Sequence, residues 1–262
     1  MIFRKAIGWG VAQFYKINGS RSEIVSYIRR SNVRLPIVFH AATKNEVRRI
    51  LSWLNDTRIL PKVELTFDDG WLEFLDVIAV LEEFNTSATL FIAPGEIYRG
   101  CVWTDGLSVP QRQALYSKSE DERIKEVEKL IKQSGRRLMN EAEVKDVARH
   151  PLVKIGNHTW SHLSCPHRPI EEVISEIDRT QKVLTEWTGG VVPTDFAYPF
   201  GRGTSKLDVA IRNRGMTPWY TRQGFITDET RGASRNMVYE GMSLDENLGR
   251  ILMAWPKVGE TL

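Results

Sequence analysis

Short runs rich in β-branched and aromatic side chains recur along the chain, each followed by a stretch with helical spacing. The runs fall at 35–40 (LPIVFH), 62–67 (KVELTF), 87–93 (SATLFIA), 153–156 (VKIG), 194–199 (TDFAYP) and 236–239 (NMVY). Each is about the length of a strand. Between them, residues 71–84 carry Leu75, Ile78 and Leu81 at helical spacing, with Glu82 and Glu83 on the polar side. Residues 170–187 repeat the pattern with Val173, Ile177, Leu184 and Trp187, and Gly189–Gly190 closes it. Ser119 with Glu122 and Ser243 with Glu246 have the spacing of a capping box. Strand alternating with helix predicts an α/β fold, a parallel sheet with crossover helices. A doubly wound sheet and a closed β/α barrel both satisfy that pattern. No GxGxxG or Walker-type loop follows an early strand, which weakens the nucleotide-binding version.

A chain of 262 residues fits one large α/β domain or two small ones. The absence of low-complexity segments, repeats and Pro/Gly/Ser linkers predicts a single domain over 1–262. Its core would span about 35–240, with an insert at 98–150 and a helical extension over 1–30. The net charge of +3 comes from basic residues interleaved with acidic ones rather than gathered in a stripe, which argues against a nucleic-acid partner. Cys101 and Cys165 form no CxxC; two free thiols is the simpler reading and one disulfide the other. No apolar run reaches the roughly 18 residues of a membrane span. The first twenty residues are interrupted by Gln13 and Lys16 and lack a small-x-small cleavage site, so they do not read as a signal peptide. The expectation is a cytoplasmic protein or one peripheral at a membrane. Arg4, Lys5, Lys16 and Arg21 suit an amphipathic helix touching a lipid surface; a helix packed on the domain is the simpler account.

Three stretches carry chemistry, and all stand where an apolar run ends. The first sets Asp68 and Asp69 side by side after VELTF. Like charges repel, and neighbouring strand residues point to opposite faces, so a shared site for both carboxylates calls for a cation. The second, GNHTWSHLS at 156–164, sets His158 and His162 four residues apart, so that one helical turn or a tight loop aims both at one ion. Two imidazoles and one carboxylate make three ligands and leave a position open, as in catalytic rather than structural sites. One aspartate can then hold the ion while the other takes a proton from a water that the ion acidifies. The third, FAYPFG at 196–201, joins a proline-fixed backbone to a glycine turn. A backbone N–H there suits an oxyanion, and Tyr198 and Phe200 suit the wall of a sugar site, although such a loop is commonly simple packing.

TFDDG (66–70), HTWSH (158–162) and AYPFG (197–201), in this order, resemble the motifs of the polysaccharide deacetylase family, the NodB-homology or carbohydrate esterase family 4 domain. The resemblance runs from about Leu35 to Tyr239. It implies a distorted β/α barrel that removes N- or O-acetyl groups from sugars with a divalent metal, most often zinc, with cobalt or nickel as alternatives. It implies Asp68 as general base and Asp69, His158 and His162 as metal ligands. Tyr198, Pro199, Phe200 and Gly201 would belong to the substrate groove, with the Phe200 N–H donating to the oxyanion. Two departures stand out. Many relatives carry an arginine two residues before the proline of the third motif to orient the base, and here that residue is Ala197. The C-terminal histidine that acts as acid is absent too, since His167 is the last histidine. A branch acting on poly-N-acetylglucosamine-type polymers has a similar FAYPYG-like loop and an N-terminal histidine as acid, which nominates His40 in LPIVFHAAT. The implied partner is an N-acetylated glycan or its precursor. Two other readings keep the fold: a hydrolase of another amide, deformylase-like, or a glycan-binding domain without turnover. His150 and His167 read as surface or structural. The charged helix within the insert reads as a solvated face, Trp103 and Asp105 as neighbours of the groove, and Trp219 and Tyr220 as cleft lining or a core strand.

Overall fold

The computed structural model of this chain describes residues 21–130, 136–221 and 233–252. Helix α1 (Arg21–Arg30) is the described part of the expected N-terminal extension; residues 1–20 lie outside the described residues. The elements then alternate as the sequence predicts. Strand β1 (Leu35–Phe39) leads to α2 (Lys44–Asp56), β2 (Val63–Asp68) to α3 (Phe74–Glu83), and β3 (Ala88–Ile92) to α4 (Pro94–Arg99). The insert adds α5 (Val109–Leu115), α6 (Glu120–Leu130) and α7 (Glu141–Ala148) before β4 (Val153–Asn157). Helix α8 (Ile170–Trp187), β5 (Asp195–Ala197), α9 (Ser205–Arg212), β6 (Thr217–Tyr220), β7 (Ala233–Ser234), β8 (Asn236–Met237) and α10 (Leu244–Leu252) complete the order.

The eight strands form one sheet in the order β7-β6-β5-β4-β3-β2-β1-β8, every neighbouring pair parallel. The two ends of that order, β7 and β8, are separated in sequence by a single residue, Arg235. Ala233 pairs with Trp219 on one side and Asn236 with Ile37 on the other, so one short stretch nearly closes the sheet into a barrel. This excludes the doubly wound alternative. It also means that the C-terminal ends of all strands share one rim, where the loops of a β/α barrel build sites.

Helices form where the apolar spacing allows one face to be covered. Val47, Ile50, Leu51 and Leu54 of α2, and Val77, Val80 and Leu81 of α3, are buried against the outside of the sheet. Each such aliphatic side chain taken from water contributes about 1.5–3 kcal/mol. The two capping boxes read from sequence are formed: Glu122 accepts from the Ser119 N–H and hydroxyl, and Glu246 from those of Ser243. A smaller cluster of Trp103, Leu107, Leu115 and Val127 packs Tyr116 and Phe200 beneath the insert, which seats it on the rim. Within MTPWYT, Thr217–Tyr220 form a strand in which Trp219 is buried. Its remaining edge meets a cavity of about 350 Å³ lined also by Thr66, Asp195 and Ala233, not the clefts beside His40 and Phe200.

Candidate metal centre and active site

Asp68 ends β2, and Asp69 follows with φ 76°. A left-handed residue directly after a strand reverses the alternation of side chains, which brings both carboxylates to the same rim. Gly70 continues the turn at φ 81°, where an ideal Cβ would stand 2.6 Å from Ile92 Cδ1. Non-glycine residues rarely adopt such φ values. Six do so among the described residues, and four of them, Asp69, Thr159, His162 and Phe200, lie in the three motifs.

The HTWSH stretch leaves the end of β4 as a tight loop, not as a helical turn. Both imidazoles face Asp69: His158 Nε2 is 3.6 Å and His162 Nε2 3.3 Å from Asp69 Oδ1. The candidate ligand atoms of these three residues lie within 4.8 Å of one another, and all three residues are buried. The Nδ1 of His158 is 2.8 Å from the carbonyl of Ala197. A carbonyl only accepts, so Nδ1 carries a proton, and in the neutral ring Nε2 presents its lone pair, the tautomer that ligates metals through Nε2. Against burial, the nearby Asp68 and Asp69 hold this ring above its ordinary value. Asp69 Oδ2 accepts from Trp71 Nε1 at 3.2 Å, whereas buried Oδ1 has no hydrogen-bond partner. An ionised oxygen buried without a partner is costly, and a cation shared with two neutral imidazoles removes that cost. The residues therefore fit a divalent metal of the zinc type, for which nitrogen and oxygen donors are usual. Burial alone would raise the Asp69 carboxyl, but His158 and His162 hold it well below the ordinary range. Burial pushes His162 down to about 3 despite Asp69, which keeps its ring neutral.

Asp68 has a different partner. Arg235, the residue joining β7 to β8, reaches across the barrel and donates from Nη1 to Oδ1 at 2.6 Å and from Nη2 to Oδ2 at 2.9 Å. Both groups are buried, with Arg235 0% and Asp68 3% exposed. Burial would raise the Asp68 carboxyl, and the Arg235 charge, helped by His158 and His40, holds it below its ordinary value. An arginine does orient this carboxylate, then, but it comes from the seam of the barrel rather than from the position of Ala197. Sequence reading missed it because 167 residues separate the partners and Arg235 sits between two strands of two residues each.

His40 stands just beyond β1, its side chain 37% exposed and its Nε2 3.8 Å from Asp68 Oδ2. It lines a cleft of about 200 Å³ together with Asp69, Trp71, Asp105, Arg112 and Arg136. The third motif divides. Phe200, at φ 60°, sets its ring 4.8 Å from that of His162 and, with Gly201, Arg202 and Tyr239, borders a second cavity of about 500 Å³. Pro199 is buried, and an added Cβ on Gly201 would stand 2.6 Å from the Thr221 N. Tyr198, expected on the cleft wall, is fully buried instead: it packs on Phe196 and Tyr220 and donates its hydroxyl to Asp208. An aromatic beside a proline reads alike on a wall and in a core, and here the strand end turns it inward. His150 pairs with Glu82, and His167 Nδ1 meets the Ser164 hydroxyl while its ring packs on Tyr116, which in turn packs on Phe200. Cys101 and Cys165 are free thiols. Among the described residues no helix is long and apolar enough to cross a membrane.

Comparison with known proteins places this geometry in context. Residues 56–219, more than half of the chain, match the model of the family described as polysaccharide deacetylase. Over 84 residues the chain is 30% identical to chitin deacetylase 1 of Cryptococcus neoformans var. grubii, a stretch covering 32% of this chain and 18% of that protein. The chain therefore spans under a fifth of that relative's length. Among solved structures, the deacetylase PplD of Streptococcus pyogenes superposes with a TM-score of 0.59 at 16% identity, covering 84% of this chain and 98% of that one. IcaB of Ammonifex degensii gives 0.57 at 17% identity, covering 86% and 97%. At these identities the likeness is one of fold.

Proposed function

The chain belongs to the polysaccharide deacetylase family, and on that premise we propose that it hydrolyses the N-acetyl group of an N-acetylated sugar in a surface polysaccharide or its precursor. The observation that carries this reading is the pairing of two unlike aspartates. One is buried with an unpartnered oxygen facing two imidazoles, and the other is held ionised by a buried arginine. Simple glycan binding requires neither.

In this reading Asp69, His158 and His162 hold a divalent cation, zinc before cobalt or nickel, which when bound acidifies a water and polarises the acetyl carbonyl. Asp68 keeps one lone pair on each oxygen beyond those used by Arg235, and takes the proton of the attacking water there. The Phe200 N–H, turned by its left-handed backbone, donates to the carbonyl oxygen as negative charge develops on it. His40 Nε2 lies beside the same carboxylate in an open cleft and delivers a proton to the departing nitrogen, because an amide anion is too basic to leave unaided. Phe200 and Gly201 border the groove that takes the sugar, while Pro199 shapes its loop from within.

The test is acetate release from a panel of N-acetylated glycans by metal-free protein to which zinc, cobalt or nickel is returned. Acetate formed only with metal supports the reading. Formate from formamides without acetate would favour the deformylase-like alternative, and glycan binding without either product would favour a domain lacking turnover. His40→Ala should slow amide substrates strongly and spare aryl acetates, whose phenolate leaves without a proton.

A further inference from the structure

His158 and His162 are oriented by different means. The His158 ring is fixed through Nδ1 by the Ala197 carbonyl, whereas His162 Nδ1 is buried and has no hydrogen-bond partner. Ring contacts with Phe200 and His158 restrict His162, and on its Nε2 side it meets Asp69, itself a member of the cluster, at 3.3 Å; no group outside the cluster holds the ring through Nδ1. Its backbone also sits at φ 49°, a value that the chain adopts only if its surroundings impose it.

Those surroundings come from the insert. The peptide plane before His162 contains the Ser161 carbonyl, which accepts from Arg123 Nη2 at 3.2 Å; the same nitrogen donates to Ser161 Oγ at 2.5 Å. The plane after His162 contains the His162 carbonyl, which accepts from Trp103 Nε1 at 2.9 Å. On that second plane the Leu163 N–H donates to Thr159 Oγ1 at 3.3 Å. Fixing the planes on both sides of one Cα fixes its φ and ψ, and thereby the direction of its Cβ. The two donors support each other, the Arg123 guanidinium lying 5.3 Å from the Trp103 ring centroid. Each is anchored in turn: Arg123 Nη1 donates to the Lys118 carbonyl at 3.1 Å, and the Trp103 N–H to Glu96 Oε2 at 2.8 Å. From the opposite side Glu176 of α8 accepts from the N–H groups of Trp160 and Ser161 and from the Ser161 hydroxyl. Helix α6 is therefore more than a solvated face, since Arg123 on it is 1% exposed.

We propose that the insert is a clamp on the metal loop, with Arg123 and Trp103 as positioning residues that hold His162 in its left-handed conformation and so aim its imidazole at the ion. The inference rests on Asp69, His158 and His162 being metal ligands, and the experiment keeps the two apart. Zinc affinity is measured by competition with a chromophoric chelator, and the visible spectrum of the cobalt-loaded protein is recorded, for wild type, Trp103→Phe, Arg123→Met, Arg123→Lys and Ser161→Ala. Trp103→Phe keeps the ring and removes only the N–H donor; Ser161→Ala is a second mild change should Arg123→Met fail to fold.

Trp103→Phe and Arg123→Met should weaken zinc binding about 10–100-fold, the range found when groups orienting a ligand are lost. Their cobalt spectra should be altered, and Arg123→Lys, which keeps a cation near the Ser161 carbonyl, should recover much of the affinity. Folded Trp103→Phe and Ser161→Ala variants with wild-type zinc affinity and wild-type cobalt spectra would overturn the clamp. Failure of the wild-type protein to bind zinc or cobalt would overturn the ligand assignment itself.

Discussion

Asp68 and Asp69 are adjacent and both buried, yet they should fail differently. Asp69→Asn replaces the charged oxygen that faces both imidazoles with a neutral amide, and metal content measured after dialysis should fall. Asp68→Asn keeps that cluster whole and removes the proposed proton acceptor; metal should stay while turnover drops on the order of 10²–10⁴-fold. Arg235 adds a pH signature. Its charge holds the Asp68 carboxyl below the ordinary value against the opposing effect of burial. Arg235→Met removes the largest effect opposing burial and leaves only His158 and His40 against it, so the carboxyl rises. The acid limb of the kcat/KM profile should then move to higher pH, with the largest loss at the acid end. An unmoved limb would mean that the pair serves packing alone. The aspartates and histidines of this site were legible in the sequence because each pair is local. Arg235 was not, since what marks it is closure of the barrel, and the inward turn of Tyr198 depends on where β5 stops.

At the scale of elements, the strands that read clearly are those with continuous β-branched or aromatic runs, β1 to β4, which pack between neighbours on both sides. Strand β6 carries Pro218, and β7 has two residues, too little for a periodicity to show. Strand β8 lies in the NMVY run that reads as a strand, but nothing in that run shows its pairing with β1. Closed barrel and wound sheet differ only in those last pairings, which is why the alternation left both open. Strand β4 also shows how packing sets the site from outside it. A Cβ added to Gly156 would stand 2.4 Å from Phe91 Cδ1, and the Phe91 ring neighbours His158, Trp219 and the Arg235 guanidinium. Gly156→Ala should therefore cost about 1–3 kcal/mol as an overpacked core. It should lower the melting temperature by roughly 2–4 °C for each kcal/mol, a loss read by calorimetry and accompanied by reduced activity.

For the whole molecule, the three proposed ligands would bind together what the chain keeps apart. Asp69 follows β2, the histidines follow β4, and β3 with the insert lies between them in sequence. An ion held by all three links these segments in the folded state alone, so its binding energy adds to the stability of the barrel. At a free zinc concentration about 100 times its dissociation constant, the gain is about 2.7 kcal/mol. For a domain of this size that corresponds to a melting temperature higher by roughly 5–10 °C. Chelation should lower the melting temperature by that amount, and added zinc should restore it. The difference should shrink as pH falls, because protons compete with the ion for both imidazoles. A His158→Ala/His162→Ala variant should melt at one temperature whether or not zinc is present. If it gained as much from zinc as the wild-type chain, the ion would be binding elsewhere, and the unpartnered oxygen of Asp69 would need another explanation.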